Sequence, residues 1–89
     1  MQHNFPGRDL IAQGLADLAA GTETAAALLV SIGAPRLRQL GLEVVDPIPG
    51  GEHRLYELLS LTDSDSAHSR YNALIRRLVS FERALACAR

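Results

Sequence analysis

The residues of this chain best equipped for chemistry are three histidines, one cysteine and one carboxylate set among arginines. His3, His53, His68 and Cys87 lie too far apart for the short paired spacings of a zinc site, so no metal centre is expected. Met1, Gln2 and His3 could offer copper or nickel a square-planar set of four nitrogens: the free amine, two backbone nitrogens and an imidazole. That arrangement needs only one particular residue and arises readily by accident. Cys87 is the single cysteine and excludes an intramolecular disulfide. Arg83 and Arg89 flank it and would favour a thiolate, but the role expected of it is that of a buried or inert small residue. Glu82 has no histidine or second acid beside it in sequence to share a proton. The glycines stand as helix stops rather than as a phosphate-cradling loop, and no Ser/His/Asp or Cys/His arrangement is present. The sequence therefore offers no catalytic and no cofactor-binding residues, and the expectation is a non-enzymatic protein.

Arginine is the stronger signal. All nine basic residues are arginine, a bias shared with the abundant alanine and in keeping with GC-rich coding. Each is a planar fork suited to carboxylate or phosphate. Net charge is −1, but it is unevenly spread. Residues 66–89 hold Arg70, Arg76, Arg77, Arg83 and Arg89 against Glu82 alone, whereas residues 1–65 hold four arginines and nine acids. An acidic body and a basic tail suggest charge complementarity within the molecule or with a partner. A basic stripe is also the footprint of polyanion binders. A second basic element, Gly33-Ala34-Pro35-Arg36-Leu37-Arg38-Gln39-Leu40, superficially matches a helix-turn-helix, and Arg36, Arg38 and Gln39 are types that read base edges. Its helix is short for that role, and Pro35 replaces the usual capping side chain, so a plain helical corner is expected.

The element that positions the tail arginines is a long helix. Tyr71, Leu74, Leu78, Phe81, Leu85 and Ala88 recur at alternating spacings of three and four, a heptad seam that needs a surface to bury against. On a wheel of about 100° per residue, these side chains and Ile75 fill one apolar arc. Ser66, Ala73, Ser80 and Cys87 run opposite, one heptad apart, with Arg76 and Arg83 on one flank and Arg70 and Arg77 on the other. Arg70, Ala73, Arg76, Arg77, Ser80 and Arg83 are the candidate partner-binding residues. Tyr71, Leu74, Leu78, Phe81 and Leu85 form a seam that belongs to the core or to a dimer. Glu82 falls inside the apolar arc, where a lone buried carboxylate is costly. Arg36, Arg38 or Arg54 would have to pair with it, or the helix would have to overhang its core there.

The rest of the chain reads as shorter helices punctuated by glycine. Leucine and alanine dominate, with two Phe, two Tyr and no Trp, which favours helix over strand. Pro6 opens a first helix whose apolar stripe, Leu10, Ile11, Gly14, Leu15 and Leu18, includes a glycine that admits a close neighbour. Thr22 is placed to cap a second helix that is apolar over most of its circumference, as expected at the centre of a domain. Gly33 and Pro35 separate it from a short third helix, and Gly21 and Gly41 are C′ residues. Residues 41–51, with Pro47, Pro49, Gly50 and Gly51, form a loop, along which Leu42 and Val44 lie extended on the core. A fourth helix buries Leu55, Leu58 and Leu59. Thr62 and Asp65 have capping-box spacing before the last helix.

The expected fold is thus all-α: a single helical domain over residues 1–89, with helices near 6–20, 22–32, 35–40, 52–61 and 64–88, four short ones packed on one long C-terminal helix. A small core leaves little net stability, which makes a homodimer a natural source of more. No signal segment is visible, and the apolar run at 25–32 is too short to span a bilayer. The expectations are a cytoplasmic protein without cofactor or membrane association. Its expected role is a regulatory or protein–protein interaction module that binds itself or an acidic protein through the arginine-lined face. Nucleic-acid binding through the same arginines is the alternative.

Overall fold

The computed structural model describes residues 6–88, and every regular element among them is helical. The order is α1 (Arg8–Ala19), α2 (Ala25–Ile32), α3 (Ala34–Gln39), α4 (Gly51–Thr62) and α5 (Ala67–Ala88). The centre is α2. It carries no charge, its residues Ala26 through Ser31 are all buried, and it packs against each of the other four helices. An all-round apolar helix has no solvated face to offer, so its neighbours must enclose it. Two glycines bring those neighbours in closely. On α1, a Cβ at Gly14 would run into the carbonyl of Ala26. At the start of α4, one at Gly51 would lie 3.1 Å from Ile32 Cγ1 and 3.2 Å from the Leu28 carbonyl oxygen.

The glycine stops act through defined hydrogen bonds. After α1, the Gly21 N–H donates to the Leu18 carbonyl at 3.0 Å and the Thr22 N–H to that of Asp17 at 2.8 Å. After α3, Gly41 donates to Arg38 and Leu42 to Leu37, both at 3.0 Å. These are Schellman closures, and the left-handed φ of +75° at Gly21 and +99° at Gly41 is what they require. Gly33 ends α2 and caps α3 with φ of −87°, which any residue can adopt. Glycine leaves room there for two side-chain ends: a Cβ would meet Leu78 Cδ1 at 2.9 Å and Glu82 Oε2 at 3.1 Å, and both would have to shift.

Two helix starts differ from expectation. Thr24, not Thr22, caps α2: its hydroxyl accepts from the Ala27 N–H at 3.1 Å while donating to Asp17 Oδ2 at 2.6 Å. The hydroxyl therefore ties the end of α1 to the start of α2. The last helix begins at Ala67, because the Asp63 carboxylate takes the N–H groups of Asp65 at 3.1 Å and Ser66 at 3.4 Å and holds the intervening residues in a turn. Thr62 and Asp65 form no capping box; the Thr62 hydroxyl donates to the Leu59 carbonyl instead.

The loop between α3 and α4 is irregular, with Val44 buried and Leu42 half-buried. Two polar contacts pin it. Arg38 Nη2 donates to the Val44 carbonyl at 2.7 Å, and the Ser31 hydroxyl accepts from the Ile48 N–H at 2.9 Å while donating to the Ala27 carbonyl at 2.8 Å.

At a rise of about 1.5 Å per residue, α5 is about 33 Å long. The described residues extend over 39 × 25 × 20 Å, so α5 lies along the long axis of the domain. It packs on α4 and α2. Ala67, Leu78 and Phe81 are part of the core, and Tyr71, Leu74, Ile75 and Leu85 are half-buried against it. Of the heptad seam, Leu78 and Phe81 are thus buried within the chain, Tyr71, Leu74 and Leu85 are half-buried, and Ala88 is exposed. Among the described residues, no helix is long and apolar enough to cross a membrane.

Candidate partner-binding face of the C-terminal helix

Three contacts seat α5. At its N-terminal end, the Tyr56 ring of α4 meets Tyr71 at a centroid distance of 5.9 Å and His68 at 6.5 Å. Burial pushes the Tyr71 phenol up, and the charge of Glu52 adds to the shift. In the middle, Leu78 and Glu82 lie over Gly33. Beyond the apolar arc, Gly7 abuts the backbone of Arg77: it is left-handed, with φ of +75°, and a Cβ there would lie 3.1 Å from the Arg77 carbonyl oxygen. The start of α1 therefore rests on the flank of α5.

That contact creates a shallow depression of about 440 Å³, lined by Pro6 and Gly7 on one side and by Ala73, Arg76, Arg77 and Ser80 of α5. Four of the six candidate partner-binding residues come together here. Arg83 is exposed one turn further along α5 and outside the lining. Arg70 does not join them. Its Nη1 donates to Thr62 Oγ1 at 3.1 Å, placing it in the corner between α4 and α5. There its charge adds to the hydrogen bonds from Ser66 and Asp65 that hold the Asp63 carboxyl below its ordinary range. Of the stripe of small residues, Ser66 sits in the same corner, Ala73 is half-buried, Ser80 is exposed, and Cys87 is exposed near the far end. Pro6 and Gly7 are the lining residues that sequence reasoning missed. The pattern of the first helix says which face it buries, and nothing in it places its start against a helix seventy residues away.

Arg76, Arg77 and Arg83 make no hydrogen bond or ion pair among the described residues. The other arginines are more occupied. Arg54 Nε donates to Glu23 Oε2 at 2.9 Å, Arg38 holds the Val44 carbonyl, and Arg36 Nη1 reaches Gln39 Oε1 at 3.4 Å. With Arg38 clamping the loop and Arg36 and Gln39 in contact with each other, α3 is a helical corner.

The only acid on α5 points away from the depression. Glu82 is half-buried beside Gly33, and that burial raises its carboxyl above the ordinary value, partly offset by the charge of Arg36. Of the three arginines considered for it, Arg36 is the one whose charge bears on it, and the two form no ion pair among the described residues. A carboxyl with a raised folded-state pKa destabilises nothing while protonated, and its penalty grows as pH rises through the folded value. Glu82→Gln is therefore expected to stabilise the protein at pH 7 by a few tenths of a kcal/mol up to about 1 kcal/mol, a figure discounted because the group is only half-buried. The gain should fade at pH 4, as measured by chemical denaturation at both pH values. An equal gain at both would contradict the assignment.

The histidines are engaged locally: His53 Nε2 lies 3.3 Å from Glu57 Oε2, and His68 Nε2 lies 3.2 Å from Asn72 Nδ2. Among the described residues, no group of His, Cys, Asp and Glu could hold a metal ion. The Met1-Gln2-His3 chelate lies outside the described residues. No family model matches the chain, and no curated protein or solved structure matches it either.

Proposed function

We propose that this protein is a small non-enzymatic interaction or regulatory module that docks an acidic partner protein on α5. Arg76, Arg77 and Arg83 supply the charge, and Ala73 and Ser80 supply the close-approach floor. One observation carries the reading: three exposed guanidinium groups on one side of α5 have no counter-charge among the described residues. An acidic surface supplies the missing counter-charge on contact. Such steering gives fast, salt-sensitive association.

The test is a charge reversal. Arg76→Glu/Arg77→Glu/Arg83→Glu changes only exposed residues and should keep the helical circular dichroism spectrum. It is expected to lose an acidic protein that wild type captures at low salt. An unchanged set of captured proteins counts against the reading.

Self-association is the second part of the proposal. Leu78 and Phe81 of the heptad seam lie in the protein's own core, which leaves the half-buried Tyr71, Leu74 and Leu85 as its contribution to a dimer. Among the described residues, the large apolar side chains left exposed are Val45, Tyr56 and Leu61. Light scattering at tens of micromolar decides the matter, and a monomer removes the homodimer. A cytoplasmic setting accompanies the reading, in keeping with one exposed, unbridged cysteine. Nucleic acid is the competing ligand for the same arginines. A gel shift at low salt that weakens steeply with added salt would favour it over a protein partner.

A further inference from the structure

Resting on the docking reading above, we propose that the group received at this face is a phosphorylated side chain of the partner, bound as a phosphomonoester dianion over Ser80. Arg76, Arg77 and Arg83 stand four and three residues before Ser80 and three after it. On a helix these are the positions whose Cβ atoms lie about 5–6 Å from that of the central residue. Ser80 is exposed and lines the depression with Arg76 and Arg77, and Arg83 stands one turn beyond; the side chains of these three arginines have no other partner among the described residues.

A single carboxylate neutralises one of those charges. A phosphomonoester carries close to two negative charges at neutral pH and three acceptor oxygens, which match guanidinium forks and a hydroxyl donor. The acids nearby do not compete: Glu82 lies against Gly33, and Asp63 is engaged with Asp65 and Ser66.

The shape of the face narrows the ligand further. Pro6 and Gly7 wall the depression where α1 meets Arg77, so a long helix cannot lie along the whole stripe from Ser66 to Cys87. About 440 Å³ of open space suits one anionic group and its stem. A single-stranded nucleic acid gains much of its affinity from bases stacked on aromatic rings, and among the described residues no aromatic side chain lines the depression. Tyr56 and Tyr71 are at the contact of α4 with α5. The favoured ligand is thus a phosphorylated peptide.

The test uses a defined probe, acetyl-Gly-phosphoserine-Gly-amide, titrated into isotopically labelled full-length protein and followed by nuclear magnetic resonance. The same peptide carrying serine or glutamate and a short single-stranded oligonucleotide are run alongside. Expected are saturable shifts at the Gly7 and Ser80 amides and at the Nε groups of Arg76, Arg77 and Arg83. Among the described residues no acid or histidine lines the depression, so pH dependence is expected to follow the ligand's second ionisation near pH 6. Binding should be about tenfold weaker at pH 5 than at pH 7.5. Arg76→Ala/Arg77→Ala should weaken it at least about tenfold with helicity unchanged.

Equal binding of the glutamate peptide, a flat pH profile, or full binding by the double variant overturns the phosphoryl assignment. Binding of glutamate alone leaves the acidic-partner reading standing and the phosphoryl proposal lost. If only the oligonucleotide binds, both fall in favour of nucleic acid. If no probe shifts these signals, the phosphoryl proposal fails, and the charge-reversal capture still decides the docking reading separately.

Discussion

Replacing Gly14 with alanine should destabilise the protein by about 2–4 kcal/mol, the upper part of the range for overpacking a well-filled interior. Helix propensity alone predicts the opposite sign, because alanine is favoured over glycine in a helix by about 1 kcal/mol. The structure decides which effect wins. The added methyl group would strike the backbone carbonyl of Ala26 rather than a side chain that can rotate away. α1 would have to lift off α2 along its whole length and loosen Ile11 and Leu18 in the core. For a domain of this size the loss corresponds to a fall in melting temperature of about 10–25 °C. Gly21→Ala is the control. Its surroundings are open, so only the strain of a left-handed alanine applies, about 1 kcal/mol. Similar losses at the two glycines would show that backbone contact between α1 and α2 does not limit the packing.

The second large effect is expected at Leu78. It is 3% exposed, whereas Leu61 at the end of α4 is 83% exposed. Leu78→Ala leaves a cavity beside Gly33 and should destabilise by about 2–4 kcal/mol. Leu61→Ala should stay within about 0.5 kcal/mol of wild type. Concentration adds a second discrimination. If Leu78 stabilised the fold by joining two subunits, its loss would be felt differently at low and high protein concentration. A side chain filling its own core gives the same loss at both. Urea denaturation of both variants at two concentrations measures this. A concentration-dependent loss at Leu78 would restore the seam as an interface.

Much of this arrangement was legible in the residues. The three-and-four spacing from Tyr71 to Leu85 identified the face of α5 that meets the core, and the uncharged run Ala25–Ile32 identified the central helix. Gly21 and Gly41 marked Schellman closures because few other residues adopt the backbone such closures need. What the sequence withheld depends on how the elements approach one another. Two threonines precede α2, and only the approach of Asp17 selects Thr24 as the cap. Glu82 stood out on the wheel as misplaced, but choosing Arg36 from three arginines required knowing that Arg54 is held by Glu23 and Arg38 by the Val44 carbonyl. The candidate face shows the same division. Periodicity put Ala73, Arg76, Arg77 and Ser80 on one side of a helix. Arg70 left that group because Thr62 is within its reach, a consequence of the Asp63 turn. Pro6 and Gly7 entered it through a contact between distant parts of the chain, which no local pattern encodes.

The central helix also bears on what happens when the fold opens. Ala25–Ile32 is an eight-residue stretch without a charge or a proline, kept from solvent by the four helices around it. In an unfolded chain the same stretch is free to pair with its counterpart on another molecule, the hallmark of an aggregation-prone window. Glu23 before it and Pro35 and Arg36 after it are the nearest residues that oppose such pairing. Recovery after heating then becomes a race between refolding, which is first order, and association, which quickens with concentration. For this protein, the fraction recovered after a heating step is therefore expected to fall as its concentration rises.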